Sequence, residues 1–196
     1  MKMCRVRAAT VAIAVILFAG LSLDALAFTL SNFQNPQCVR VDPDDNVYYV
    51  TNLAGGAEDK NREGYVSKIS PNGSLVFQKW IGGKTSDGNA VLDSPKGLAI
   101  YQGLLYIADA REIKIFSKKT MKLVRSVDLA PLGARSLSNL AVDSDGGFLY
   151  VSDPFGNQIF RIDIARNCLA SVYKRTSELG SPKGIIVNPR NHSLMV

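Results

Sequence analysis

Short apolar runs rich in Val, Ile, Leu and Tyr recur from Asn35 onward, each bounded by Gly, Asn, Asp, Ser or Pro, with little helical spacing between them. That is the pattern of strands and turns. Three stretches superpose. Pro36 to Asn52 holds VRV, a turn at Asp42 to Asn46, then VYYVTN; Pro95 to Asp109 holds LAI, a turn at Gln102-Gly103, then LLYIAD. Leu137 to Asp153 holds LAV, a turn at Ser144 to Gly147, then FLYVSD. Each predicts a hairpin. A third run follows in each unit (VSKIS from Val66, IKIFS from Ile113, IFRID from Ile159), and then a fourth (LVFQKWI from Leu75, LVRSVDL from Leu123, LASVY from Leu169).

Four strands per unit, with units 42 to 59 residues apart, predict stacked blades. Radial repetition protects sheet edges and lets each blade bury both faces on its neighbours. The expected fold class is therefore all-β, a β-propeller of four-stranded antiparallel blades. The stretch SPKGLAI at Ser94 returns 87 residues later as SPKGIIV at Ser181, with a looser copy, SLSNLAV, at Ser136. The repeat marks the innermost strand, where Gly97 and Gly184 are expected to let neighbouring backbones approach closely. Asn52, Asp109 and Asp153 end the second strand of each unit. That recurrence fits a structural role, accepting backbone N–H groups of the following turn.

Residues 1–27 do not share the repeat. Lys2, Arg5 and Arg7 precede an apolar run from Ala8 to Leu23, and Ala25-Leu26-Ala27 has the small-x-small form of a signal-peptidase site. The run is 16 residues long, short of the roughly 20 that cross a bilayer. The expectation is a signal peptide over 1–27 and a partial propeller domain over 28–196, periplasmic or secreted, with no membrane association after cleavage. Removing three cations and Asp24 lowers the formal charge from +6 to near +4. The remaining positive residues are scattered, so nucleic acid is not an expected partner. Cys38 and Cys168 fall in non-adjacent units and are expected unpaired, although an oxidising compartment permits pairing.

The units resemble the blades of the NHL-repeat and senescence marker protein/gluconolactonase propellers. They are most similar to the secreted bacterial gluconolactonase-like branch, on the strength of NPQCVRVDPDDNVYYVTN, GYVSKISPNGSL, SPKGLAI, LYIAD and SNLAVDSDGGFLYVSD. The resemblance covers Asn35 to Val196 and implies six blades. About three and a half can be counted, the fourth stopping at His192 to Val196, so the chain is expected to be truncated.

The resemblance also implies a metal-dependent lactone hydrolase. Its divalent cation, calcium or zinc, is held at the channel mouth by a glutamate, asparagines and an aspartate from the starts of innermost strands. The family's glutamate, five residues before the residue matching Asp42, falls on Gln37; the equivalent positions in later units are Lys96, Ser138 and Lys183. None is a carboxylate, and two ammonium groups around one axis repel a dication. The residues themselves point instead to binding. A small, anionic ligand would be contacted by the charges of Lys96 and Lys183, with Gln37, Ser138 and Asn139 as neutral hydrogen-bonding partners. A protein partner on a rim is the other binding reading, lactone hydrolysis is the enzymatic alternative, and lysines pointing into solvent are the alternative without function.

Other chemistry is sparse. The single histidine, His192, lies four residues from the end and gives a Ser-His-Asp or Cys-His arrangement no well-placed base. Cys38 reads as a small buried hydrophobe. Gly55-Gly56 and Gly82-Gly83 lack the lysine and hydroxyl of a phosphate loop. Two polar loops, Leu53 to Gly64 and Ile81 to Asp93, stand outside the repeat and are placed to shape a mouth. Within the second, Asp87-Gly88-Asn89 reads as a turn rather than a calcium loop.

Overall fold

A computed structural model describes residues 28–55, 62–83 and 91–196. The signal segment, Asp87-Gly88-Asn89 and part of the 53–64 loop lie outside the described residues. The first sheet comprises β1 (Pro36–Asp42), β2 (Val47–Asn52), β3 (Tyr65–Ile69) and β4 (Leu75–Gly82). The second comprises β5 (Pro95–Tyr101), β6 (Leu104–Asp109), β7 (Glu112–Ser117) and β8 (Leu123–Asp128), and the third β9 (Leu140–Asp143), β10 (Phe148–Asp153), β11 (Gln158–Asp163) and β12 (Leu169–Arg175). Each is a four-stranded antiparallel meander in chain order, and a hairpin of β13 (Ile186–Val187) and β14 (Leu194–Met195) follows. Tight turns take the left-handed conformation where the sequence supplies Asn or Gly, as at Asn46 (φ 51°), Gly103 (φ 73°) and Gly147 (φ 68°).

The strands β1, β5, β9 and β13 neighbour one another in that order and form the inner row. Period-two alternation in the middle blade feeds two cores. On β6, Leu105 and Ile107 enter the core shared with Tyr49, Val66 and Ile81 of the first blade. Tyr106 and Ala108 enter the core shared with Leu149, Val151 and Phe160 of the third. Burying each large apolar side chain contributes about 1.5–3 kcal/mol. Burial also lifts the Tyr106 hydroxyl pKa to about 12, with Cys168 and Tyr101 adding to the shift. A third core, around Ala141, Tyr150, Ile159 and Ile185, attaches the β13–β14 hairpin. Outer strands β4, β8 and β12 are largely exposed and carry Lys79, Arg125 and Lys174, charges that discourage edge pairing.

The LAV run forms the third inner strand, Leu140–Asp143, and backbone bonds of Ser138 and Asn139 with Ser152 extend the pairing ahead of it. One boundary differs from the sequence pattern. The second SPKG copy lies ahead of β13 rather than within it. Gly97 does permit close approach: a Cβ there would stand 2.6 Å from the Ser138 carbonyl oxygen. Gly184 does not share that role, since no described atom lies within 4 Å of its Cβ position. Two short 3-10 turns, Ala130–Leu132 and Ser177–Leu179, precede the lead-ins of β9 and β13, and each is closed by a left-handed glycine. The apolar periodicity gave no sign of them.

The β1–β2 and β3–β4 type turns occupy one end of the blades. The second-to-third strand loops and the lead-ins to each inner strand gather at the other, the loop face.

Candidate functional site

The lead-ins are held by the acids that end the second strands. Asp109, buried, accepts the Asp93 N–H at 3.0 Å and the Ser94 N–H at 2.5 Å, and pairs with Lys114 at 2.7 Å. Asp153 accepts the N–H groups of Arg135 at 2.8 Å and Ser136 at 3.1 Å. It also takes the Gly156 N–H at 3.1 Å and the Gln158 amide at 2.8 Å. The expected role was to close the following turn. Asp153 does so, but both acids chiefly fasten the start of their own blade's innermost strand, because antiparallel pairing brings that start beside the end of the second strand. In the first blade the residue is Asn52, whose amide nitrogen donates to the Val50 carbonyl at 3.0 Å and the Ser67 hydroxyl at 3.2 Å. Its Oδ1 is buried without a partner among the described residues; the Gln34 N–H goes instead to the Tyr65 hydroxyl at 3.2 Å.

A second tie explains the repeated SPKG. Thr51 Oγ1 donates to the Lys96 carbonyl at 2.5 Å, and Ser152 Oγ donates to the Lys183 carbonyl at 2.7 Å. Each hydroxyl is the penultimate residue of the preceding blade's second strand. The middle blade has Ala108 there, with no hydroxyl, and the lead-in that follows is the looser copy, SLSN. There the Ser138 carbonyl accepts the Gly97 N–H at 2.7 Å, so backbone replaces side chain.

These ties bring all five candidate residues to one place. Gln37, Lys96, Ser138, Asn139 and Lys183, with Cys38, line a cavity of about 190 Å³ at the loop-face end of the inner row. Their donors differ in commitment. The Lys96 ammonium is half-buried and donates to the Ser136 hydroxyl at 2.7 Å, so it is anchored to the next lead-in. The Lys183 side chain is exposed and makes no hydrogen bond or ion pair among the described residues. The Gln37 amide nitrogen is turned back on Asn35 Oδ1 at 2.9 Å. Asn139 Oδ1 accepts from Leu140 and, at 3.3 Å, from Arg40 Nη2, which leaves its amide nitrogen for the cavity. The residues lining the cavity bring two ammonium groups, that of Lys96 anchored on Ser136, with the Ser138 hydroxyl and the Asn139 amide.

This set does not fit the divalent cation that the family resemblance implies. It contains no carboxylate, and among the described residues no three His, Cys, Asp or Glu side chains cluster. Cys38 and Cys168 are free thiols in different blades, and burial pushes the Cys168 thiol pKa up. His192 has a partner that its place in the sequence did not reveal: Nδ1 lies 2.9 Å from Asp143 Oδ1 and ties the last hairpin to β9. Burial acts to raise the Asp143 carboxyl pKa, but the His192 contact and the Gly146 and Asp145 N–H groups outweigh it and hold the group below the usual carboxylate range.

The sequence reading also missed Arg40 and a larger cavity, about 570 Å³, that runs along the inner row from the tight-turn end. The signal for both is the arginine between the two valines of VRV.

No family model matches this chain, and no curated protein matches it. Among solved structures, a chain in the crystal structure of a nidogen/laminin complex superposes with a TM-score of 0.50 at 16% identity. The fold is a β-propeller. The match covers 74% of this chain and 48% of the other, so the chain spans about half the length of that neighbour. At this identity the propeller likeness speaks for architecture alone. No helix among the described residues is long and apolar enough to cross a membrane.

Proposed function

We propose that this β-propeller is a binding protein whose loop-face mouth takes a small anionic group, a carboxylate or a phosphate. One observation carries the reading: Lys96 and Lys183, 87 residues apart, line one small cavity with no carboxylate in its wall. An anion 4 Å from one ammonium gains about 1 kcal/mol in water and about 4 kcal/mol at an effective dielectric of 20. Calorimetric titration with gluconate and with inorganic phosphate tests it. The Lys96→Ala, Lys183→Ala double variant is expected to lose at least tenfold in affinity for whichever anion binds, and unchanged affinity overturns the reading. A lactone hydrolase finds no metal-binding carboxylate at this mouth.

A second reading, a protein partner on the same face, is favoured by Phe155. It is 65% exposed in the turn after β10, a turn fastened by Arg135 Nη1 to the Phe155 carbonyl at 3.3 Å and by the Ser181 N–H to Asn157 Oδ1 at 2.8 Å. An aromatic held rigid beside an arginine has the make-up of an interface anchor. Phe155→Ala separates the readings, since it is expected to leave small-anion affinity intact.

Export is proposed from residues 1–27 alone. Protein recovered outside the cytoplasm is expected to begin at Phe28 by N-terminal sequencing, and retention of Met1 would refute cleavage.

A further inference from the structure

Of the four innermost triplets, VRV, LAI, LAV and IIV, only the first carries a charge. Arg40 is half-buried, and its guanidinium crosses from the first blade to the third. Nη2 donates to Asn139 Oδ1 at 3.3 Å, while Nη1 donates to the Val39 carbonyl at 3.3 Å. Ala99 and Ala141 occupy the matching triplet positions in the next two blades, and side chains that small leave room for the crossing. Guanidinium has five donors, and two are used. No carboxylate pairs with Arg40 among the described residues.

Arg40 faces the cavity of about 570 Å³, within the roughly 300–1,000 Å³ typical of small-molecule sites. Much of the wall is apolar, including Ile100, Leu140, Val142 and Ile185. Asp42 also reaches this cavity, but it is already paired with Lys118 at 2.5 Å. Asp44 lies in an exposed turn, where solvent screens it. A half-buried cation without a counter-charge is unfavourable, and an anion with an apolar body satisfies both the guanidinium and the wall.

We propose that this cavity is a second binding site, separate from the loop-face mouth, for an amphipathic monocarboxylate. Its carboxylate docks on the Arg40 fork, which suits that planar group better than an ammonium does. Its hydrocarbon portion lies against Ile100, Leu140, Val142 and Ile185.

Calorimetric titration of the full chain with octanoate, octanol and octylammonium tests this. Octanoate is expected to bind with one-to-one stoichiometry at least tenfold tighter than either of the others. Arg40→Met should remove that preference, Arg40→Lys should retain part of it, and Lys183→Ala should leave octanoate affinity unchanged. Octanoate binding no tighter than octanol overturns the proposal, as does wild-type octanoate affinity in Arg40→Met. If Lys183→Ala weakens octanoate and gluconate equally, there is one site, the mouth, and the second site is refuted while the first stands. Should Arg40→Met not fold, Ile186→Trp, at an exposed residue of the cavity wall, narrows the cavity and leaves Ala99 and Ala141, beside the Arg40 path, unchanged. It is expected to cost octanoate at least tenfold and phosphate nothing, and unaltered octanoate affinity would again overturn the proposal.

Discussion

Replacing Asp109 by asparagine removes one charge from a buried site while keeping its shape. The wild-type carboxylate holds the Asp93 and Ser94 N–H groups and the Lys114 ammonium, and its side chain is 1% exposed. Asparagine retains one acceptor but turns an NH₂ group toward donors and leaves Lys114 without its counter-charge. Breaking a buried pair costs about 3–5 kcal/mol. Lys114 keeps its bond to the Val91 carbonyl at 2.8 Å, which places the cost near the lower end, about 3 kcal/mol. That is a large part of a typical total of about 5–15 kcal/mol.

The assay is urea unfolding followed by fluorescence of Trp80, the chain's one tryptophan, whose ring stacks on buried Tyr49 at 4.7 Å. With a slope of about 1–3 kcal/mol per molar urea, the midpoint should fall by about 1–3 M. Anion affinity at the mouth should fall in parallel, because Ser94 to Lys96 lose their fastening. A midpoint shift under about 0.3 M at unchanged slope would refute the assigned role. The first blade supplies the converse test. Asn52→Asp should destabilise, since the carboxylate would be buried where its Oδ1 already lacks a partner.

Three further outcomes are expected. Gly97→Ala should lower the melting temperature by several degrees, because its Cβ meets Ser138 and Asn139 backbone, whereas Gly184→Ala, in open space, should leave it within a degree or so. Ser152→Ala removes the bonds to the Lys183 carbonyl at 2.7 Å and from the Asn139 N–H at 3.1 Å; denaturant titration should register a loss of about 1–2 kcal/mol. Asp143, whose pKa is depressed in the fold, stabilises the protein above the unfolded value of about 3.9, and that contribution disappears as pH falls through the folded pKa. Amide exchange in β13–β14 should therefore accelerate below about pH 4, and His192→Ala should abolish that acid dependence.

The strands and their order were legible because alternation and turn chemistry are local properties. VYYVTN, LLYIAD and FLYVSD each form the second strand of a blade. The location of the five candidate residues was legible too, since a repeat places equivalent positions at equivalent points around an axis. Their hydrogen-bond commitments were not. Nothing in SPKG says that one lysine anchors on Ser136 while the other projects freely, because the anchor comes from the next blade, 40 residues on.

Sequence alone thus determined a ring-type repeat of four-stranded sheets and the positions that share a rank within it. Packing decided the rest. Arg40 became a channel residue only because alanines in two other blades left it a path to Asn139, 99 residues away. His192 found Asp143 only when the last hairpin folded against β9. Strand periodicity is written by neighbours in the chain, whereas a half-buried charge acquires its partner, or lacks one, from whatever the packed blades set beside it.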